Sequence, residues 1–368
     1  MAKIVILGLT ITSSWGNGHA TTYRALVKVL AQRGHEVLFL ERETPWYREH
    51  RDLAVSSFAR IALYDSVADL ERRYAAAVRE ADAMIVGSFV PDGIEVGRWA
   101  IATASSPVAF YDIDTPVTLA KLARDECDYL SAELIAAYDL YLSFTGGPVL
   151  DLLQEMGSPH AAALYCSVDP DLHAPVATPR KWEIGYLGTY SPDRQIGLER
   201  MLLNVATALP ASYFVVAGAQ YPQMVTWPEN VLHIEHLPPT KHPAFYCAQR
   251  FTLNITRDDM KALGFSPSVR LFEAAACGVP ILSDSWPGLD TIFDIGSEIL
   301  AADGTEDVLR VLRNTSPAAR AGIAAAARAR VLKEHTASHR ASELENLLDL
   351  CARRSRSSRQ SKGALVTS

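Results

Sequence analysis

The chain has 368 residues, 49% hydrophobic and 21% charged, with a formal net charge of −7. That length suggests about two domains. No run approaches the roughly 18 uninterrupted apolar residues of a membrane span, and five scattered cysteines (127, 166, 247, 277, 351) argue against a disulfide framework or zinc site and for a reducing cytoplasm.

The N-terminal "KIVILGL" (3–9) is a first buried strand, since it runs into a glycine turn and an amphipathic helix rather than a cleavage site. The loop "TITSSWGNGH" holds Gly16, Asn17 and Gly18 and opens the helix "HATTYRALVKVLAQRG", which Gly34 ends. Such a loop suits an anion or sugar, and a wide structural loop is the other reading. "HEVLFLE", "AMIVGS", "PVAFYD", "DLYLSF" and "AALYC" are later strands with helices between. The alternation implies a parallel sheet covered on both faces.

A Pro-rich polar junction follows, "SVDPDLHAPVATPRKW" (167–182), and then the pattern restarts. "EIGYLGT", "SYFVVAG", "NVLHIEHLPP", "RFTLNIT", "PILSD" and "EILAA" are strands, and helices fill the stretch from 303 to about 351. The expected fold is α/β with two doubly wound domains, 1–170 and 171–352. Ligands in such sheets bind outside the carboxyl ends of the strands, so the expectation is a cleft between facing domains. Residues 353–368, "RRSRSSRQSKGALVTS", carry five positive charges and are expected to be a disordered tail, with peripheral contact to anionic lipid as an alternative. Without them the body is near −12, a poor nonspecific nucleic-acid binder.

Within "SPSVRLFEAAACGVPIL" (266–282), Ser266 suits an N-cap, Pro267 the first helical position and Gly278 the end of a helix of about three turns. Ser266, Arg270, Glu273 and Cys277 then share one face. Either Arg270 and Glu273 form a structural pair or the face meets a ligand. A nicotinamide enzyme, with Gly16, Gly18 and Glu41 as its fingerprint, is a weaker alternative, because Thr21 stands where the third glycine belongs. The ten histidines show no metal-ligand spacing, so no metal is expected.

"YLGTYSPDRQ", "FVVAGAQYP", "IEHLPPTKHPAFY", "SPSVRLFEAAACGVPILSDSWPGLD" and "RVLKEHTASHR" together resemble the CgeB-like (spore maturation protein) group of GT-B glycosyltransferases. The resemblance implies a GT-B fold of two Rossmann-like domains, a soluble metal-independent transferase, no cofactor beyond its donor, and a UDP-, dTDP- or GDP-linked sugar for the C-terminal domain. It implies that Glu273 holds the donor ribose. Ser266, Ser268 and the adjoining amides, with Gly188, Thr189, Arg194 and Arg270, would meet the diphosphate, and His236 and Leu237 the base. Many retaining relatives carry a second acid eight positions earlier. Phe265 stands there, and Asp258 or Asp259 is a possible substitute.

In the first domain, Asp112 and Asp114 of "FYDIDTP" end a strand and are candidates for the base or acceptor contacts, with a turn or helix cap as the alternative. His19 has the same two readings. Tyr23, Trp46, Trp99 and Trp286 are candidates to stack on sugars. The acceptor is a carbohydrate, protein or small molecule. A catalytically weak nucleotide-sugar-binding partner, or another GT-B reaction such as epimerisation, remains open beside transfer.

Overall fold

The computed structural model describes residues 1–53 and 55–365. It divides into two compact units. The first holds Met1–Ser13, Tyr23–Tyr165 and the segment from Ser338; the second holds Ser14–Thr22 and Cys166–Ala337.

In the first unit seven parallel strands, β1 (Lys3–Gly8), β2 (Glu36–Arg42), β3 (Arg60–Tyr64), β4 (Ala83–Gly87), β5 (Val108–Asp112), β6 (Leu140–Ser143) and β7 (Ala161–Ala163), stand in the order β3-β2-β1-β4-β5-β6-β7. β4, β5 and β6 are buried at every position, because helices cover both faces. β3 is absent from the expected strands. It is an edge strand, mostly half-buried, so it lacks the apolar run that marks its neighbours.

In the second unit β8 (Trp182–Leu187), β9 (Phe214–Ala217), β10 (Val231–Ile234), β11 (Gln249–Asn254), β12 (Ile281–Ser283) and β13 (Leu300–Ala301) take the order β10-β9-β8-β11-β12-β13. Both orders reverse beside the first strand of the unit. That is where strand carboxyl ends splay and a doubly wound sheet receives its ligand.

Glu41, at the end of β2, is fully buried. It accepts from the backbone N–H groups of Ile11 (2.7 Å) and Thr12 (3.0 Å) and from the hydroxyls of Thr10 (3.0 Å) and Thr12 (2.6 Å). Four donors fill a carboxylate, so Glu41 pins the loop after β1 and leaves nothing for a nicotinamide ribose.

The last helix, Ala337–Leu365, groups from Ser338 onward with the first unit, where Glu345 meets Arg33 (2.7 Å) and His35 (2.9 Å). It runs through most of the basic stretch expected to be disordered, since no proline interrupts that stretch. Residues 366–368 lie outside the described residues. No helix among the described residues is long and apolar enough to cross a membrane.

Candidate functional site

The helix holding Glu273 is Val269–Ala276, about two turns, shorter than the spacing predicts. Gly264 (φ 67°) and Phe265 (φ 49°) turn the chain first, so Ser266 is not the cap. Ser268 takes that position with extended backbone, but its hydroxyl donates to Asn254 Oδ1 (2.8 Å) at the end of β11. The first turn of the helix therefore has no side-chain cap, and its amides keep their preference for an anion.

Arg270 points away from Glu273. Its Nε donates to the Leu187 carbonyl, its Nη1 to Asn254 Oδ1 (2.7 Å), and its guanidinium lies over the Tyr186 ring, 4.6 Å from the centroid. Gly188 permits this: a Cβ there would stand 2.7 Å from Arg270 Nη2 and 2.6 Å from the Tyr186 hydroxyl. Gly218, at the end of β9, lets its backbone meet the Gly188 carbonyl as closely. Arg194 reaches the same turn, donating from Nη2 to the Thr189 carbonyl (2.6 Å). The Tyr221 hydroxyl donates to the Gly188 carbonyl (3.2 Å). Burial pushes the Tyr221 phenol up, and Arg194 and Arg270 both oppose that shift, as two cations facing one ring would.

Among the described residues neither arginine has a carboxylate in ion-pair range. Arg194 Nε and the Tyr186 hydroxyl are buried with no hydrogen-bond partner. Two uncompensated guanidiniums, a spare phenol and an uncapped helix start thus converge on the turn after β8. This turn favours an anion with several oxygens.

Glu273 is only 2% exposed. Oε1 lies 3.5 Å from His173 Nε2; Oε2 lies 3.3 Å from His242 Nδ1 and accepts from the Tyr246 hydroxyl (3.0 Å). Burial alone would raise its pKa. His173, His242 and Tyr246 outweigh it and hold the carboxyl at about 2. His173 stays below the ordinary histidine value because its own burial outweighs the carboxylate. Neither sequence reading of Glu273 anticipates this cage: its partners are histidines and a tyrosine, not Arg270.

The donor atoms of His173, His242 and Glu273 lie within 4.8 Å of one another, a set a divalent metal could use. The carboxylate, however, turns one oxygen toward each ring and already accepts from the Tyr246 hydroxyl. His242 Nε2 sits 3.2 Å from the Leu237 carbonyl. Glu273 therefore steadies, through one imidazole, the loop after β10.

The Ser14–Thr22 loop belongs to this unit. Trp15 packs on His236 with ring centroids 4.5 Å apart. A Cβ on Gly18 would stand 3.8 Å from Val269, at the start of the Glu273 helix. Gly16 adopts φ +66°, and Asn17 Oδ1 accepts from the Ala20 N–H (3.2 Å). His19 is 8% exposed, and burial lowers its pKa to about 4. Gly16, Gly18, His236 and the Val269–Ala276 helix, far apart in sequence, thus share one neighbourhood.

The first-domain acids separate. Asp112 is fully buried and accepts from Tyr141 (2.6 Å), Thr118 (2.8 Å) and the Asp114 N–H (3.2 Å). This places it in a structural network and corrects the reading that it meets an acceptor. Asp114 is half-buried, just before the Thr115–Ala123 helix. Burial pushes the Asp112 carboxyl up to about 6, against its hydrogen bonds. A carboxyl raised in the folded state stabilises the fold below its unfolded pKa near 3.8, and this contribution is lost as pH rises through about 6. Asp112→Asn is expected to keep the fold and remove that decline, read as urea midpoints at pH 4 and 7. An unchanged pH profile would show that Asp112 is not the group titrating.

Tyr23 and Trp286 are core residues, Trp99 packs on a core cluster, and Trp46 is 49% exposed. Asp258 and Asp259 are exposed. The sequence reading missed His173, His242, Tyr246, Asn254 and Tyr186. The available signal is the four-residue spacing of His242 and Tyr246, one face of a helix.

Residues 194–346 match the model of a family described as glycosyl transferase-like. No curated protein matches the chain. Among solved structures, sucrose-phosphate synthase from Thermosynechococcus elongatus is similar with a TM-score of 0.71 and 16% identity over 95% of this chain and 99% of that one. Anabaena HepE in complex with UDP and glucose gives 0.71 and 13% over 95% and 100%. An alpha-glucosyltransferase in complex with UDP and a 13-mer DNA gives 0.70 and 12% over 95% and 99%. The two Rossmann-like units have the GT-B fold of these proteins.

Proposed function

We propose that the protein is a metal-independent glycosyltransferase of the CgeB-like group, using a nucleoside-diphosphate sugar, with UDP-linked donors the first to test. The observation that carries this reading is the pair Arg194 and Arg270, which face the Gly188 turn without a counter-charge. The UDP in the complexes of similar fold agrees with it.

In this reading the diphosphate lies against Gly188, Thr189 and the amides after Ser268. Arg194 and Arg270 take up the charge that develops as the sugar–phosphate bond breaks. Preorganised donors do this without solvent reorganisation. Glu273 and His242 hold the His236–Leu237 loop against the nucleobase. Glu273 acts as a positioning residue, and the ribose hydroxyls reach the cage only where it opens. His19, neutral at pH 7 because of its burial, accepts a hydrogen bond from donor or acceptor. Asp114 remains the first-unit candidate for the acceptor proton. The acceptor is a carbohydrate, protein or small molecule; the negative body disfavours DNA. Phe265, at the usual first acid, favours one second reading: a protein that binds the donor and transfers its sugar slowly or not at all.

The test is a thermal-shift screen of UDP, GDP, dTDP and their glucose conjugates, followed by donor turnover with and without a chelator. A ligand at 100 times its Kd stabilises by about 2.7 kcal/mol, or about 5–10 °C for a domain of this size. A shift with UDP and chelator-resistant turnover are expected. Binding without turnover would select the second reading. Melting at a lower temperature on chelation would make His173, His242 and Glu273 a metal site.

A further inference from the structure

Two helices hold the Glu273 cage. His242–Cys247 contributes His242 and Tyr246, and Val269–Ala276 contributes Glu273. Each ends on a cysteine: Cys247 closes the first, and Cys277 is the C-cap of the second. Cys247 Sγ lies 3.5 Å from the Cys277 carbonyl oxygen and 3.4 Å from the Val176 N–H. Cys247 is half-buried and Cys277 is 1% exposed. The other three cysteines lie apart in the fold; Cys166, for example, donates to the Pro267 carbonyl (3.2 Å).

We propose that Cys247 and Cys277 are an oxidisable dithiol, which a hydroperoxide converts to a disulfide that ties together the two helices holding Glu273. The geometry divides the roles. Cys247 is the accessible sulfur, with the Val176 N–H as donor toward it and the Cys277 backbone beside it. Cys277 is the enclosed partner that the oxidant does not reach first. The electrostatics agree: the Cys277 thiol, its largest influence, and the Val176 N–H hold Cys247 at about 6 against burial, whereas Cys277 is pushed up. The lowered Cys247 beside the raised Cys277 favours the thiolate at the accessible sulfur, the form that reacts with peroxide.

The Cys247 thiolate attacks one oxygen of the peroxide. The O–O bond breaks, Cys247 becomes a sulfenic acid, and hydroxide leaves and takes a proton to become water. Cys277 then loses its proton as its sulfur attacks the sulfenic sulfur, and the S–O bond breaks to release a second water. Two thiols and one hydrogen peroxide give one disulfide and two waters. Exchange with an external dithiol restores the thiols. The bond would fix the C-terminal ends of both helices. Glu273 sits one turn before Cys277 and Tyr246 is adjacent to Cys247, so the oxidised form restrains the cage from both sides.

The experiment treats the full chain with hydrogen peroxide near one equivalent, alkylates free thiols and maps peptides without reduction. The expected product is a cross-linked peptide pair containing Cys247 and Cys277, two hydrogens lighter than its parts, reversed by dithiothreitol and absent from Cys247→Ser. Amide hydrogen exchange in the His242–Cys247 helix should slow on oxidation. Cys247→Ser replaces a half-exposed residue, so it keeps the test valid if Cys277→Ser fails to fold. Sulfinic acid on Cys247 with Cys277 still alkylated, or cross-links through Cys127, Cys166 or Cys351 instead, would overturn the proposal.

Discussion

Glu273→Ala is expected to lower the unfolding free energy at pH 7 by about 1–3 kcal/mol, the cost of leaving a buried donor without its acceptor. His173 and His242 would then face each other at a 5.9 Å ring separation with no carboxylate between them. The Tyr246 hydroxyl would lose its acceptor. The pH dependence follows from the depressed carboxyl. Its folded pKa is about 2 against an ordinary 4.5, so its contribution is complete above about 4.5 and disappears as pH falls through about 2. The gap between wild type and variant should therefore be large at pH 7 and shrink in acid, as urea unfolding would measure. Nucleotide affinity should fall as well, because the Leu237 loop loses the imidazole that steadies it. A variant as stable as wild type that binds UDP poorly would instead make Glu273 a direct ribose ligand.

Arg270 should behave in the opposite way. The residue is 6% exposed, and its guanidinium has no carboxylate partner among the described residues. An uncompensated buried cation weakens the fold. Arg270→Met should thus leave the melting temperature unchanged or raise it, while UDP affinity falls about tenfold to a hundredfold, as for loss of a hydrogen bond to a charged group worth about 1.5–3 kcal/mol. Turnover should fall further than affinity, since the phosphate carries more charge in the transition state. Arg270→Lys should recover little: an ammonium cannot donate to Leu187 and Asn254 while lying flat on Tyr186. Unaltered affinity and turnover in Arg270→Met would remove the diphosphate from this turn.

The sequence shows what is local. The alternation of apolar runs and helices is written in neighbouring residues, and Gly278 does end its helix in the left-handed region. The start of that helix is less legible. Ser266 and Pro267 are good local signals, but the turn at Gly264 and Phe265 is packed against Pro287 and Gly288, which no local pattern announces. The partners of Glu273 show the same limit. His173 comes from the junction and His242 and Tyr246 from another helix, so only tertiary packing brings them to one carboxylate. Asp112 and Asp114 look alike in the sequence, two positions apart at a strand end. The difference between them comes from Tyr141 and Thr118, which enclose one and not the other.

The first unit is discontinuous: Tyr165 ends its second piece, and its third begins only at Ser338. During synthesis, at about 5–20 residues per second, the ribosome makes the whole intervening unit before that piece emerges, a delay of roughly 10–35 s. For that time the surface that Arg33 and His35 offer to Glu345 is uncovered. The nascent chain carries an incomplete first domain behind which the second can already fold. The order of assembly should therefore run against the order of the sequence, with the second unit complete first. Pulse proteolysis of a released chain truncated after residue 337 would reveal a resistant second unit and a labile first one.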